Sequence, residues 1–191
     1  MSQVIIGMAD ENLVADLMSL LEEMDGFTVR AVAKSPTELV DLASRLEPDV
    51  VFVHETLGIE PVSQTIRDLA NRRPSTAVIQ VSQIRTPALV IKAMEDGARG
   101  VVAYPFAYED VSTRVIAAAE WSEHMKAVLA DIQSGAFAKR FIADQDAGAP
   151  EFLALREKGA AHPIEATGQK LRALFAWKQQ DADYVEGSAA R

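Results

Sequence analysis

The chain has no cysteine among its 191 residues, which excludes disulfides, thiolate catalysis and cysteine-based zinc or iron–sulfur centres. No run approaches the ~20 consecutive apolar residues that cross a bilayer, so membrane insertion is not expected. The N-terminus lacks the basic-then-apolar pattern of a signal peptide, and the expectation is a cytoplasmic protein. A Gly-rich loop ending in Lys-Ser or Lys-Thr is missing, and with it the usual phosphate cradle of a nucleotide-binding domain. Positive charge is also scarce where it would matter. Residues 1–124 hold 10 Lys and Arg against 19 Asp and Glu, a net of −9, while residues 125–191 hold 9 of each. Such a surface repels phosphate backbones and anionic lipid, so nucleic acid is not an expected partner.

What is present is a globular composition, 49% hydrophobic and 25% charged, of a length that suits one domain plus an appendage. The most informative stretch is Pro48-Asp49-Val50-Val51-Phe52-Val53-His54-Glu55-Thr56-Leu57-Gly58. Its unbroken β-branched and aromatic run predicts a strand covered on both faces, as in parallel sheets, whose carboxyl end opens onto the crevice where such folds bind ligands. The residue at that end is His54.

Apolar periodicity places strands at Val4–Met8, Thr28–Ala33, Asp49–Val53, Ala77–Val81 and Gly100–Tyr104. Between them run helices: one on Leu13, Leu17, Leu20, Leu21 and Met24, then Pro36–Leu46, Val62–Asn71, Pro87–Asp96 and one from Tyr108 onward. Alternation with short links predicts an α/β fold, a five-stranded doubly wound parallel sheet over residues 1–123. Beyond it strands vanish. Helical pieces are expected at Met125–Gln133, Phe137–Ala143, Pro150–Lys158 and Pro163–Trp177, making residues 124–178 a small all-helical segment, with 179–191 a polar, disordered tail.

The strand ends should gather Asp10, Glu11, His54, Ser82 and Tyr104 into one pocket, with Pro105-Phe106 beside them. These residues, together with Gly97-Ala98-Arg99-Gly100, make residues 1 to about 122 resemble a response-regulator receiver domain. The resemblance implies an acidic pair for magnesium, an acceptor aspartate, a hydroxyl sensor and a lysine before proline. Asp10, Glu11 and Ser82 match; His54 stands in place of the acceptor and Tyr104 in place of the lysine. A site without those two charges has lost its phosphoryl-transfer machinery. The expectation is therefore a pseudo-receiver with no catalytic residue, no metal and no cofactor. Glu55 could supply a fixed negative charge, although strand alternation points it to the opposite face.

The spellings Gly7-Met8-Ala9-Asp10-Glu11-Asn12-Leu13 and Val81-Ser82-Gln83-Ile84-Arg85-Thr86-Pro87 resemble the receiver-like N-terminal region of TadZ/CpaE-type pilus assembly proteins. That resemblance implies a protein-interaction or polar-localisation module. Its partner face would comprise the fourth helix, fifth strand and fifth helix, with Val90, Ile91, Met94, Arg99, Tyr108, Val111 and Arg114 available for a protein partner or a homodimer.

A second set of spellings occupies the tail: Ala130-Asp131-Ile132-Gln133-Ser134-Gly135-Ala136-Phe137-Ala138-Lys139-Arg140-Phe141, Gly148-Ala149-Pro150-Glu151-Phe152, and His162-Pro163-Ile164-Glu165-Ala166-Thr167-Gly168-Gln169-Lys170-Leu171-Arg172. Residues 125–186 are similar to the C-terminal end of ketol-acid reductoisomerases. The family's Rossmann glycines and metal carboxylates are not found in this sequence, so Asp131, Glu151 and Glu165 are read as solvated helix charges and His162 as a loop or capping residue rather than a ligand. Phe137, Phe141, Phe152, Leu155, Leu171, Leu174, Phe175 and Trp177 would need apolar surfaces from the receiver part, from each other or from another copy.

Each half lacks what its family uses, which suggests a recombined, engineered or truncated gene product, or a tail that has become a helical oligomerisation element. Three functional readings are open: a noncatalytic interaction module, a reductoisomerase component that needs a complementing partner, and an unconventional phosphate-responsive receiver.

Overall fold

The computed structural model describes residues 1–165, Thr167 and Gly168. Leu171, Leu174, Phe175 and Trp177, most of the helix expected at 163–177 and the expected tail at 179–191 lie outside the described residues. No helix among those described is long and apolar enough to cross a membrane.

Five strands alternate with five helices: β1 (Ser2–Gly7), α1 (Glu11–Glu22), β2 (Phe27–Ala33), α2 (Pro36–Leu46), β3 (Val50–His54), α3 (Val62–Arg72), β4 (Ala77–Ser82), α4 (Pro87–Glu95), β5 (Gly100–Ala103) and α5 (Tyr108–Gln133). All neighbouring strands are parallel, in the order β2-β1-β3-β4-β5. Because the three central strands are covered on both faces, their sequences are apolar throughout rather than alternating. Val50, Val51, Phe52 and Val53 are wholly buried.

The pleat divides these residues between two cores. Val4, Ile6, Val50, Phe52, Ile79 and Val102 meet Leu13, Leu17 and Leu21 of α1 and Val111, Val115 and Ala118 of α5. Ile5, Val51, Val53, Val78 and Val101 meet Leu39 and Ala43 of α2, Ile66 and Leu69 of α3, and Ala93 of α4. Each fully buried Leu, Ile, Val or Phe contributes about 1.5–3 kcal/mol. Val111, counted with the partner face from sequence, is a core residue with no exposure. It falls on the stripe of α5 that packs on the sheet, which the buried Val115 and Ala118 continue at helical spacing.

Local signals set the helix ends. Ser35 Oγ accepts the Glu38 N–H at 3.3 Å while the Glu38 carboxylate accepts the Lys34 N–H at 2.8 Å, so two free donors at the start of α2 are satisfied reciprocally. Thr86 caps α4 through the Leu89 N–H at 3.2 Å, with Pro87 in the first turn. After α4 the chain reverses at Gly97, where φ is +107° and a Cβ would lie 2.7 Å from the Ala70 Cβ; both facts select glycine.

The first compact unit runs from Met1 to Asp131 rather than ending at 123. Its C-terminal part is fastened by Asp49, a buried carboxylate just before β3. Asp49 Oδ2 accepts the Gln3 N–H at 2.6 Å, and Oδ1 accepts the Lys126 ammonium and lies 3.5 Å from Ser122 Oγ. Burial works to raise the Asp49 pKa, but the Lys126 ammonium and the Gln3 amide outweigh it and hold the carboxyl below its ordinary value.

The second unit begins at Ile132 and contains α6 (Ala136–Asp146) and α7 (Pro150–Ala160). Asp144 on α6 accepts the N–H groups of Glu151 and Phe152 at 2.7 and 3.2 Å, which caps the positive end of α7. Phe137 and Phe141 stack with ring centroids 6.3 Å apart. No residue of either helix is buried; Phe137, Phe141, Phe152 and Leu155 are each at least half exposed. His162 Nδ1 accepts the Ile164 N–H at 3.2 Å, a capping contact. Asp131 and Glu165, read from sequence as solvated charges, each have a partner.

Candidate functional site

The parallel strands end together at one edge of the sheet, and the ladders fix what meets there. His54 is the last residue of β3 and registers with Val81; Ser82 is the last of β4 and registers with Ala103, one residue before Tyr104. The Tyr104 N–H donates to the Ser82 carbonyl at 3.0 Å. His54 is 5% and Ser82 2% exposed.

Thr56, in the turn after β3, holds the imidazole of His54. Nδ1 of the ring accepts the Thr56 N–H at 3.2 Å and lies 2.8 Å from Thr56 Oγ1, while Nε2 is buried without a hydrogen-bond partner. Since Nδ1 acts as acceptor, the proton of the neutral ring belongs on Nε2. Burial lowers the His54 pKa from its usual range, against the opposing fields of Glu55 and Asp10. A neutral imidazole with one nitrogen engaged offers no carboxylate oxygen to a phosphoryl donor.

Strand alternation assigns Glu55 to the opposite face, and the structure corrects this. β3 ends at His54, so alternation no longer governs the next residue. The Glu55 N–H donates to the Val81 carbonyl at 3.1 Å, and its side chain turns across the end of β4. There Oε2 accepts the Ser82 hydroxyl and Oε1 accepts the Gln83 N–H at 3.1 Å. Ser82 is thus already engaged by an internal carboxylate.

The acidic pair is separated by local structure. Asp10 Oδ1 caps α1, accepting the N–H groups of Asn12 and Leu13 at 2.9 and 3.3 Å. Glu11 turns away to an exposed pair with Lys34 at 2.7 Å; hydrogen bonding and attraction to that ammonium lower its pKa. The Asp10 charge acts on His54, and Glu11 points elsewhere. Among the described residues no group of three or more His, Asp or Glu is placed to hold a metal ion.

Tyr104 precedes a cis peptide bond to Pro105 and packs edge-on against Phe106, with centroids 5.5 Å apart. It is half-buried, and its ring joins the α1–α5 core.

On the expected partner face, Ile91, Met94 and Tyr108 are exposed, and so is Ile84, which the sequence reading missed. Val90 is half-buried against the α2–α4 core. Arg114 and Arg85 both bind Asp110, at 3.0 and 2.6 Å, and the Arg99 guanidinium lies 4.1 Å from the Trp121 ring centroid. Lys92 and Arg67 meet at the buried Asp96, at 2.9 and 2.5 Å. Four of these cations share two carboxylates and Arg99 faces a ring, so this face presents apolar side chains among engaged cations.

Comparison with known proteins finds two families along the chain, whose matches overlap within α5. Residues 5–116 match the sequence model of the response regulator receiver domain, and residues 105–177 that of the ketol-acid reductoisomerase C-terminal domain. Among solved structures, the signal receiver domain of a modulated diguanylate cyclase from Desulfovibrio desulfuricans G20 is similar with a TM-score of 0.57 and 22% identity. The alignment covers 65% of this chain and 98% of that one. A response regulator receiver domain protein from Clostridium thermocellum gives a TM-score of 0.58 at 21% identity, covering 65% and 99%. At these identities the likeness speaks for the fold. The tail is 74% identical over 69 residues to the ketol-acid reductoisomerase (NADP(+)) of Clavibacter michiganensis subsp. michiganensis, 36% of this chain and 20% of that protein. It is 72% identical over 72 residues to the corresponding protein of Pseudarthrobacter chlorophenolicus, 38% and 21%. The chain thus spans about a fifth of the length of these relatives.

Proposed function

We propose a function from one premise: this chain belongs to the response regulator receiver domain family, whose sequence model matches more than half of it. It works as a noncatalytic receiver-shaped interaction module, carrying a reductoisomerase-type helical segment that does no chemistry of its own. The observation that carries this reading is the end of β3, where a buried neutral imidazole stands in the acceptor position and its Nδ1 is already engaged. A carboxylate can form an acyl phosphate there; on His54 the Nδ1 lone pair that would attack phosphorus already accepts the Thr56 N–H, and the buried Nε2 carries the ring proton.

Recognition would then use the α4–β5–α5 face, where Ile84, Ile91, Met94 and Tyr108 stand exposed. A protein partner or a second copy would cover them. The spellings at Gly7–Leu13 and Val81–Pro87 support a finer placement, in pilus assembly or polar positioning within the cytoplasm. A fluorescently tagged chain should then concentrate at a cell pole, and uniform distribution would remove that placement. The main reading is tested by incubating the full chain with acetyl phosphate and magnesium and measuring intact mass: no phosphoryl adduct is expected.

The 74% identity of the tail favours one second reading. The helical segment could complete a reductoisomerase whose cofactor and metal sites come from another polypeptide. NADPH-dependent turnover of acetolactate on adding the missing upstream portion, and none without it, would establish that role.

A further inference from the structure

We infer that Glu55 is a resident anion: its carboxylate occupies both hydrogen-bond donors at the end of β4, leaving neither to an external anion and clamping the loop that leads into α4. This deepens the noncatalytic reading and rests on it.

The two donors are adjacent, the buried Ser82 hydroxyl and the Gln83 backbone N–H, and each is taken by a different oxygen of one carboxylate. Hydrogen bonds to an ionised acceptor are about twice as strong as neutral ones. The carboxylate is presented by a fixed turn: Glu55 N–H bonds to the Val81 carbonyl and Leu57 N–H to the His54 carbonyl, both at 3.1 Å, with the Leu57 side chain buried. His54 does not hold this carboxylate: its Nδ1 is engaged with Thr56, and its Nε2 makes no hydrogen bond. An external phosphate would have to displace a tethered group whose effective concentration is on the order of millimolar or higher, and would meet the repulsion of that same charge.

The consequence is mechanical. The loop from Gln83 to Thr86 is pinned at its first residue by Glu55 and again at Arg85, which binds Asp110 of α5. Its end is the N-cap of α4. Ile84 and the start of α4 are thereby held in one arrangement without any ligand.

Amide hydrogen exchange on the full chain tests this. In Glu55→Ala the Gln83, Ile84 and Arg85 amides should exchange at least about tenfold faster, while Ile5 in β1 keeps its rate. Glu55→Gln preserves the shape and one acceptor oxygen, so it should show a smaller acceleration; it decides the matter if the alanine variant does not fold. Adding Ser82→Ala to Glu55→Ala should change little further, because both remove the same contact. Inorganic phosphate should leave the wild-type rates unchanged. Wild-type exchange at Gln83 in the Glu55 variants, independent addition of the two substitutions, or protection of wild-type Gln83 by phosphate would each overturn the clamp. An unaltered loop in a chain that still takes no phosphoryl group would reject the clamp and leave the noncatalytic reading standing.

Discussion

His54 carries two constraints at once: it sits in a fully covered strand, and its Nδ1 is tied to Thr56 in the adjoining turn. Burial lowers its pKa, with the nearby Glu55 and Asp10 charges acting in the opposite direction. The unfolded chain therefore binds a proton near pH 6.5 that the folded chain refuses. Stability is fully present above that pH and declines as pH falls toward the lowered folded value, after which this contribution is constant. Urea midpoints measured across the window should show this slope, and His54→Gln should flatten it. An unchanged slope in that variant would place the titration elsewhere. His54 was legible in the sequence because an apolar run delivers it to a crevice; its neighbour was not. Glu55 comes after the last paired residue, so the turn geometry rather than the pleat decides where its carboxylate goes, and only the Ser82 and Gln83 contacts reveal its place.

Among the elements, α5 joins the two resemblances, since the receiver match ends at 116 and the reductoisomerase match begins at 105. Lys126 lies past the receiver match, yet it pairs with Asp49, 77 residues away. Residues of the appended sequence thus complete the first unit. Lys126→Ala should cost about 1–3 kcal/mol, at the lower end because the ammonium is partly exposed. In a denaturation cycle with Asp49→Asn the two losses should not add; full additivity would mean that the pair is not coupled. Because Asp49 is held below its ordinary pKa, its contribution is present above about pH 4 and is lost as pH falls through the lowered value. In the second unit, Asp144→Ala removes the cap of α7 and should cost that helix about 1 kcal/mol, seen as faster amide exchange at Glu151 and Phe152; unchanged exchange would contradict the capping role. The alternation of five strands and helices was legible from periodicity and turn residues. Contacts such as Asp49–Lys126 were not, because side chains far apart in sequence are brought together only by the finished sheet. Val111 was illegible for a related reason: a helix that shows an apolar residue on its stripe does not announce which side the sheet takes.

At the scale of the whole molecule, the chain joins a receiver unit whose acceptor carboxylate and lysine are replaced to a helical unit that spans a fifth of its relatives. The first unit builds two apolar cores, whereas α6 and α7 keep Phe137, Phe141, Phe152 and Leu155 exposed. Both units offer apolar surface, and among the described residues neither brings together an acceptor carboxylate, a lysine and a metal-binding pair at the strand ends. The account is tested most directly by intact mass spectrometry after incubation with acetyl phosphate and magnesium, on the wild-type chain and on His54→Asp in parallel. It predicts that the wild-type mass stays unchanged. Addition of one phosphoryl group to the wild-type chain, mapped to the crevice at His54 or Ser82, would contradict it.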